Sequence, residues 1–318
     1  MLRIGLIGAS RIAPAAVIAP ASQRSDVLVT AVAARDVARA RTFARTHGVP
    51  TVSEHYAALI NRDDVDLVYI STPPVSHAQW TIAALEAGKH VLCEKPFCMN
   101  ADEAVAMVAA AQASGKLLIE AYHYRFHDII GRLAEAYGAI GPVERLDAVF
   151  NVPIGQDEGE FRWSKALGGG ALMDLGVYPL HIMRTLTGLE PKIDRVEATW
   201  EAGVDASLYA ELSFGDISAS LSTSMVAERP EASVTARGAG GEVTLNNFVA
   251  PQLGHRLEVA RPGSEPEVIV IDDAPSTYDA QLAHVVNCVE GGRPPLTGGA
   301  DAVAQMRSID TIYAHARA

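Results

Sequence analysis

Cysteine is scarce in this chain, and long apolar runs are missing from it. Only three of the 318 residues are cysteines, Cys93, Cys98 and Cys288, and their spacing matches neither a disulfide framework nor a zinc site. No run of about 18 apolar residues occurs, so no membrane span is predicted. The sequence therefore predicts reduced thiols, no metal and a cytoplasmic location.

Basic side chains are also few. The chain has 26 lysines and arginines against 38 acidic residues, which gives a net charge of −12. This balance disfavours nucleic acid and anionic membranes as partners, because both carry negative charge. The N-terminus enters a strand directly at Met1–Ile4, without the layout of a signal peptide. With 49% apolar residues, the chain has room for two cores.

The first 120 residues alternate strands with helices. Short apolar runs without alternation predict buried parallel strands at Leu2–Ile7, Val27–Ala33, Asp66–Ser71, Val91–Cys93 and Lys116–Glu120. Helical stretches between them indicate right-handed βαβ units. We therefore predict an α/β fold in which residues 1–120 form a Rossmann dinucleotide-binding domain.

The turn after the first strand resembles a phosphate-binding turn, although it departs from the usual glycine pattern. Gly8, Ser10 and Ala13 occupy the three positions of Gly-x-Gly-x-x-Gly/Ala, so the second glycine is replaced. Free N–H groups at the start of the following helix favour a pyrophosphate, with Arg11 and Ile12 in the same turn. The alternative is a tight strand-to-helix turn that binds nothing.

The end of the second strand bears on the choice of cofactor. A carboxylate there would bond a ribose hydroxyl, whereas an arginine accepts a 2′-phosphate. The chain has Ala34 and then Arg35 at this point, with Asp36 as a helix cap. This arrangement favours NADP, and NAD remains possible if Asp36 turns inward.

Residues 89–96, Lys-His-Val-Leu-Cys-Glu-Lys-Pro, place two opposite charges where a buried strand ends. In an open α/β sheet this carboxyl edge is where ligands bind. A lysine such as Lys95 can there orient a hydroxyl and lower its pKa. The alternative is a surface ion pair between Glu94 and Lys95 that caps the strand.

Residues 121–318 show a different pattern and predict a second, α+β domain with a large, mostly antiparallel open sheet. Alternating runs predict strands at Val143–Val152, Lys192–Glu201, Leu208–Phe214, Ile217–Met225, Ala232–Arg237, Glu242–Leu245, Arg256–Ala260 and Glu267–Ile271. Helices at 171–187, 277–290 and 300–316 are expected to cover this sheet. They are too few to cover both faces, so we expect a broad apolar face that pairs with another subunit in a homodimer or homotetramer.

A second candidate site lies at 161–181, where a triple glycine precedes a helix. Asp174, Tyr178 and His181 fall at i, i+4 and i+7, on one helical face. Pro179 must kink this helix or start a new turn, because its ring clashes one turn back. The spacing favours a cleft, and the alternative is an amphipathic helix whose polar stripe faces water.

Several of these motifs together resemble the Gfo/Idh/MocA oxidoreductase family. The resemblance runs in order along the whole chain, and its most specific motif is Glu94-Lys95-Pro96. Within the family, Asp174 with Tyr178 resembles the dihydrodiol and xylose dehydrogenase branch. The other motifs that carry the resemblance are residues 8–13, 71–74 with His77, 87–93, 120–127, 168–170 and 298–302.

The resemblance implies an NAD(P)-dependent dehydrogenase or reductase that acts on a hydroxyl or carbonyl of a sugar, polyol or cyclic diol. It implies the same two catalytic positions that chemistry suggests, namely Tyr178 as acid/base and Lys95 as the cation that lowers its pKa. Asp174 is predicted to orient Lys95 or hold a substrate hydroxyl. Weaker predictions for the substrate pocket are Arg125, Trp163 and His181. The predicted cofactor-binding residues are Gly8, Ser10, Arg11, Ile12, Arg35, Thr72, Pro73, His77, Glu94 and Lys95.

Two other kinds of function share this fold. A cofactor-bound sensor would lack the Lys95 and Tyr178 pair, and both residues are present here. An enzyme that retains its nucleotide could use transient oxidation for glycoside hydrolysis, elimination or sugar–sugar exchange. Nucleotide that survives purification would distinguish it from a dehydrogenase that releases its cofactor.

Overall fold

The computed structural model describes residues 1–317, which divide into two compact units. The first comprises Met1–Tyr122 and Tyr278–Met306, and the second comprises His123–Thr277 and the chain from Arg307 onward. The division therefore falls within the last helix. Among the described residues, no helix combines the length and the apolar character needed to cross a membrane.

The first unit contains a six-stranded parallel sheet with strand order β3-β2-β1-β4-β5-β6. Its strands are β1 (Leu2–Ile7), β2 (Val27–Ala33), β3 (Thr51–Val52), β4 (Leu67–Ile70), β5 (His90–Cys93) and β6 (Leu118–Glu120). Its helices are α1 (Ala19–Ser22), which continues a π-helical turn at Pro14–Ile18, α2 (Val37–His47), α3 (Tyr56–Ile60), α4 (His77–Glu86) and α5 (Ala101–Ser114). The predicted Rossmann-type sheet is confirmed.

The second unit contains an eight-stranded sheet with strand order β14-β13-β12-β11-β7-β10-β9-β8. Its strands are β7 (Val143–Asn151), β8 (Lys192–Glu201), β9 (Val204–Phe214), β10 (Ile217–Ser224), β11 (Glu231–Gly238), β12 (Gly241–Asn246), β13 (Arg256–Ala260) and β14 (Glu267–Ile269). All neighbours are antiparallel except β7 and β10, which pair in parallel. The predicted mostly antiparallel sheet is confirmed.

Four further helices complete the chain, and one of them corrects the sequence analysis. They are α6 (Asp128–Ala139), α7 (Val177–Thr187), α8 (Thr277–Gly291) and α9 (Gly299–Ala316). The expectation that 277–290 covers the second sheet is wrong, because Leu282, Val285 and Val286 pack into the core of the first unit. An amphipathic pattern shows that a helix has an apolar face, but it does not say which sheet receives that face.

The outer face of the second sheet is polar, which corrects the expectation of a broad apolar face. Ser220 on β10 pairs with Asp147 on β7 and donates to its carboxylate at 2.6 Å. Arg237 on β11 contacts the same carboxylate at 2.8 Å and bonds Glu242 on β12. The inner face instead carries buried residues such as Leu221. One face of this sheet is therefore apolar and covered, and the other carries a charged network.

Candidate active site

The carboxyl edge of the first sheet has the geometry of a nucleotide crevice. β1 lies between β2 and β4, so the strand order reverses direction there and leaves a crevice outside the strand ends. Gly8 follows β1 with φ of +108°, and a Cβ at this position would lie 3.0 Å from the carbonyl oxygen of Ser71. Only glycine fits this close approach between the ends of β1 and β4.

Ser10, which replaces the second glycine, organises the turn. Its Oγ lies 2.8 Å from Oγ of Ser71 and accepts from the Ala13 amide at 3.2 Å. Arg39 Nη2 donates to the carbonyl of Ala9 at 2.9 Å. Arg11 is exposed in the same turn. The turn thus combines a glycine cradle, a helix N-terminus and nearby cations, which fits a dinucleotide pyrophosphate.

The two charged residues after β2, Arg35 and Asp36, have different surroundings. Asp36 caps α2, since its carboxylate accepts from the Ala38 amide at 2.8 Å and from the Arg39 amide at 3.4 Å. The predicted capping role is therefore confirmed. Arg35 is exposed beside it. Two arginines, Arg35 and Arg39, thus lie close to the end of β2, which in Rossmann domains contacts the 2′-hydroxyl or 2′-phosphate of the cofactor's ribose.

His77 links the ends of β4 and β5. Its Nε2 lies 2.7 Å from the carbonyl oxygen of Thr72 and its Nδ1 lies 2.9 Å from that of Pro96. Burial lowers the pKa of His77, although its contacts with backbone carbonyls oppose that shift. The ring thereby fixes the Thr72-Pro73 turn against the segment that contains Lys95, which is half-buried. The Lys95–Pro96 peptide bond is cis.

Glu94 has a defined partner in the sheet. The hydroxyl of Tyr69, on β4, donates to Oε1 of Glu94 at 2.6 Å. Burial, and then the charge of Glu94, raise the pKa of Tyr69 well above its usual value. Tyr69 is therefore a permanent donor that holds the Glu94 carboxylate at the carboxyl edge.

In the second unit, the predicted polar face of 174–181 is buried. Asp174, Tyr178 and His181 are 7%, 4% and 3% exposed, which excludes a polar stripe in water. A π-helical turn at Leu172–Gly176 precedes α7, so Pro179 falls in the first turn of α7, where a missing N–H is tolerated. Pro179 thus starts a new turn, as one of the two predictions had it.

Tyr178 and His181 each pair with a side chain from the turn at His123–Phe126. The hydroxyl of Tyr178 lies 3.2 Å from Nε2 of His123, and Nδ1 of His123 lies 2.9 Å from Oγ1 of Thr277. The hydroxyl of Tyr124 lies 2.6 Å from Nδ1 of His181. The unit therefore contains two buried phenol–imidazole pairs.

Asp174 forms an ion pair inside the second unit. Arg162 donates from Nε to Asp174 at 2.6 Å and from Nη1 to Glu160 at 2.8 Å. Burial acts to lower the pKa of Arg162, but the two carboxylates outweigh it and the pKa is raised. The side chains of Asp174 and Glu160 are 9% and 8% exposed. Arg162 therefore pairs with two carboxylates that are almost out of water.

Trp163 and Arg125, the remaining residues predicted for the substrate pocket, lie within the packed structure of the second unit. Trp163 donates from Nε1 to the Ile154 carbonyl at 3.0 Å and packs in a core with Leu175 and Met225. Arg125 is half-buried in the turn that carries His123. Among residues 1–317, no group of three or more histidine, cysteine, aspartate or glutamate side chains could hold a metal ion.

Comparisons with known proteins agree with this geometry. Residues 2–122 match the model of the oxidoreductase family with an NAD-binding Rossmann fold, and residues 134–244 match the GFO/IDH/MocA C-terminal domain. The chain belongs to the Gfo/Idh/MocA oxidoreductase family. The resemblance seen in its motifs is thereby confirmed.

Three similar proteins match nearly the whole chain. The D-xylose 1-dehydrogenase (NADP(+)) 2 of Haloferax volcanii is 32% identical over 98% of this chain and 96% of its own length. The dTDP-3,4-didehydro-2,6-dideoxy-alpha-D-glucose 3-reductase of Streptomyces violaceoruber is 33% identical, covering 98% and 94%. The crystal structure of aldose-aldose oxidoreductase from Caulobacter crescentus, complexed with glycerol, superposes with a TM-score of 0.90 at 28% identity, covering 99% and 97%.

The sequence analysis did not single out two residues that contact the predicted site residues, His123 at Tyr178 and Arg162 at Asp174. His123 appeared only within an aromatic cluster, and Arg162 only as a neighbour of Trp163. The available signal for Arg162 was the carboxylate of Asp174 within an otherwise apolar helical stretch, since buried carboxylates require partners. For His123 the signal was a titratable side chain next to the predicted domain boundary.

Proposed function

We propose that this chain is an NADP-dependent dehydrogenase or reductase acting on a hydroxyl or carbonyl of a sugar, polyol or cyclic diol. The observation that carries the proposal is the buried hydroxyl of Tyr178, bonded to His123, in a chain with an NAD-binding Rossmann domain. A phenol bonded to a titratable group suits proton transfer at a reacting oxygen. Names of relatives, a xylose dehydrogenase and a keto-sugar reductase, support this substrate class.

The proposal gives each residue a role. The nicotinamide, when bound, supplies hydride chemistry at carbon. Tyr178 takes the hydroxyl proton in oxidation and returns it in reduction. Lys95 stabilises the charge on the reacting oxygen. Asp174, held by Arg162, accepts from a neighbouring substrate hydroxyl.

NADP is the proposed cofactor for two reasons. Arg35 is exposed at the end of β2, while the carboxylate of Asp36 is occupied by capping α2. The xylose dehydrogenase relative is NADP-dependent by name. Gly8, Ser10, Arg11 and Ile12 would hold the pyrophosphate. The carboxyl edge at Thr72, Pro73, His77 and Glu94 would border the nicotinamide.

The proposal is tested with purified protein. Aldoses, keto-sugars, polyols and cyclic diols are offered with NADP or NADPH, and nicotinamide absorbance is followed. We expect net turnover of cofactor with at least one class, and loss of it in Lys95→Ala. An absence of turnover with all four classes, in protein that binds NADP, would contradict the dehydrogenase proposal.

A second candidate is sugar–sugar exchange on retained nucleotide. The observation that favours it is the TM-score of 0.90 with aldose-aldose oxidoreductase. In that case mass spectrometry finds nucleotide in the purified protein, and added NADP is not turned over. A mixture of two aldoses would instead be converted to an aldonate and an alditol.

We propose further that the protein is a cytoplasmic homodimer or homotetramer assembled through the second sheet. Cys93, Cys98 and Cys288 are buried thiols outside disulfides, which fits a reducing compartment. The outer sheet face offers small polar side chains and the Arg237–Asp147 network, and this surface suits isologous contacts. Light scattering at micromolar concentration tests the proposal, and a stable monomer would contradict it.

A further inference from the structure

Tyr178, the proposed acid/base, is a buried residue. Tyr178 is 4% exposed, so its hydroxyl has little access to bulk water. A buried base that takes the substrate proton needs a neighbouring group to accept the proton that it already holds. The residues around Tyr178 must therefore supply a proton carrier.

His123 is placed to be that carrier. Its Nε2 lies 3.2 Å from the Tyr178 hydroxyl, and its ring meets the Tyr178 ring edge-on with centroids 5.9 Å apart. On its other side, Nδ1 lies 2.9 Å from Oγ1 of Thr277, which is fully buried. With Nδ1–H donating to Thr277, Nε2 is left to accept from Tyr178.

We propose that Tyr178, His123 and Thr277 form a proton relay, in which His123 is the positioning residue that receives the proton of Tyr178. This inference rests on the proposed role of Tyr178. In oxidation the substrate hydroxyl proton moves to the Tyr178 oxygen as the hydride leaves for oxidised nicotinamide. The proton already on Tyr178 moves to Nε2 of His123, and the resulting imidazolium keeps its Nδ1–H bond to Thr277.

Physical chemistry favours His123 as the group that titrates. A phenol, with a free pKa near 10, is already protonated near neutrality, so an additional proton that reaches the pair is held by the imidazole, whose free pKa is near 6.5. Because the two groups share a bond, the pH dependence belongs to the pair. Thr277 accepts from the imidazolium, so removing that hydroxyl destabilises the cation and lowers the pKa of the relay.

Two variants give opposite shifts in the pH profile of oxidation. In His123→Gln, which cannot carry a proton, we expect kcat to fall about 10- to 100-fold at neutral pH, with the limb displaced to higher pH. In Thr277→Val we expect the limb to move to lower pH. Thr235→Val removes a hydroxyl bonded only across the outer sheet face to Thr244, and should leave the limb in place. An unchanged limb in both relay variants overturns the proposal.

A measurement without substrate separates this inference from the proposed function. Imidazole nitrogen shifts of labelled histidine report which ring nitrogen of His123 is protonated, with His123→Gln assigning the signal. We expect Nδ1–H near neutral pH, and a changed titration of His123 in Tyr178→Phe. A proton on Nε2, or a titration that ignores Tyr178→Phe, overturns the relay even in an active enzyme. The expected shifts in a protein that turns over no sugar would support the hydrogen-bond chain of Tyr178, His123 and Thr277, but would refute the dehydrogenase proposal and the proton transfer that depends on it.

Discussion

Nε of Arg162 lies 2.6 Å from Oδ2 of Asp174, and this bond ties the chain before the triple glycine to the helix that carries Tyr178. Gly169 permits the arrangement, because a Cβ there would collide with the backbone carbonyl of Arg162. The same guanidinium also holds Glu160. A single cation thus fixes the loop, the helix start and the charge of a proposed substrate-binding carboxylate.

Removing this cation should destabilise the protein. In Arg162→Met the stem packing is kept, but Asp174 and Glu160, whose side chains are 9% and 8% exposed, lose this cation, so we expect a loss of about 3 kcal/mol in the free energy of unfolding. Denaturant unfolding measures it. Arg132→Met, in a pair whose side chains are 58% and 69% exposed, is the control and should change stability by about 0.5 kcal/mol or less. Equal losses in the two variants would show that the Arg162 pair contributes no more than a surface pair.

Asp205 predicts a pH dependence of stability. Its carboxylate is 1% exposed, accepts from the Leu172 amide at 2.7 Å and from the Tyr313 hydroxyl at 2.8 Å, and burial raises its pKa to about 6. A carboxyl group whose pKa rises on folding favours the folded state when protonated, and this contribution is lost as pH rises from about 4 through 6. The hydrogen bonds from the Leu172 amide and the Tyr313 hydroxyl oppose this rise in pKa, and the charge of Arg317 opposes it to a smaller extent.

The test compares the parent with Asp205→Asn at pH 4.5 and pH 7.5. The free energy of unfolding of the parent, relative to the variant, should fall by about 2 kcal/mol between these values. Asp66→Asn is the control, because the bond from Arg3 lowers the pKa of Asp66 and leaves it ionised across this range. If the difference in free energy of unfolding between the parent and Asp205→Asn does not change with pH, then the Asp205 carboxyl has the same pKa in the folded and unfolded chains.

Much of the fold could be predicted because the signals are local. Apolar runs without alternation marked the parallel strands, and period-two runs marked the second sheet, with β8 and β13 matching at both ends. The sheet against which α8 packs could not be predicted, because the amphipathic pattern of a helix is the same whichever sheet it covers. The parallel pairing of β7 with β10 was also hidden, because their residues lie about 73 positions apart.

The site was predicted only in part for the same reason. Asp174, Tyr178 and His181 share a short stretch, so helical spacing alone placed them on one face. Thr277 lies 154 residues from His123, and no local pattern connects them. The partner of Asp174, only 12 residues away, was hidden because the intervening glycines carry no periodic signal.

Lys95 should be essential for turnover but not for folding. In Lys95→Ala we expect kcat to fall by about 10²–10⁴, the range of acid/base and electrostatic contributions, with NADP binding retained. Lys89→Ala is the matched control, because its Nζ donates at 2.8 Å to the carbonyls of Arg62 and Val65 and so serves the backbone. If Lys95→Ala turns over within tenfold of the parent, residues 89–96 form only a charged cap at the end of a strand and Lys95 is not needed for catalysis.

NADP should bind more tightly than NAD, and Arg35 should account for much of the difference. Arg35→Ala removes a cation from the end of β2, so we expect NADP affinity to fall about 10- to 100-fold while NAD affinity stays near the parent value. Tryptophan fluorescence titration gives both constants. Arg41→Ala, an exposed charge on α2, is the control. A preference for NAD in the parent would indicate that an acidic group reads the ribose.

Tyr178→Phe should keep cofactor and substrate binding but lose the hydride step, in a way that depends on pH. The ring still packs against its aromatic neighbours Tyr124 and Phe150, so the fold is preserved and only a hydroxyl is lost. The parent's oxidation rate should rise with pH through an apparent pKa below that of free tyrosine, and this limb should vanish in the variant.

His181 is the alternative candidate for the acid/base. It lies three residues after Tyr178 on the same helix, and its buried imidazole is bonded to Tyr124. A parallel His181→Asn variant distinguishes the two, since it removes a titrating group and leaves Tyr178 in place. We expect His181→Asn to keep the pH limb, with kcat reduced by less than in Tyr178→Phe. If Tyr178→Phe retains the limb and His181→Asn abolishes it, then the acid/base is His181, and Tyr178 serves to bind the substrate.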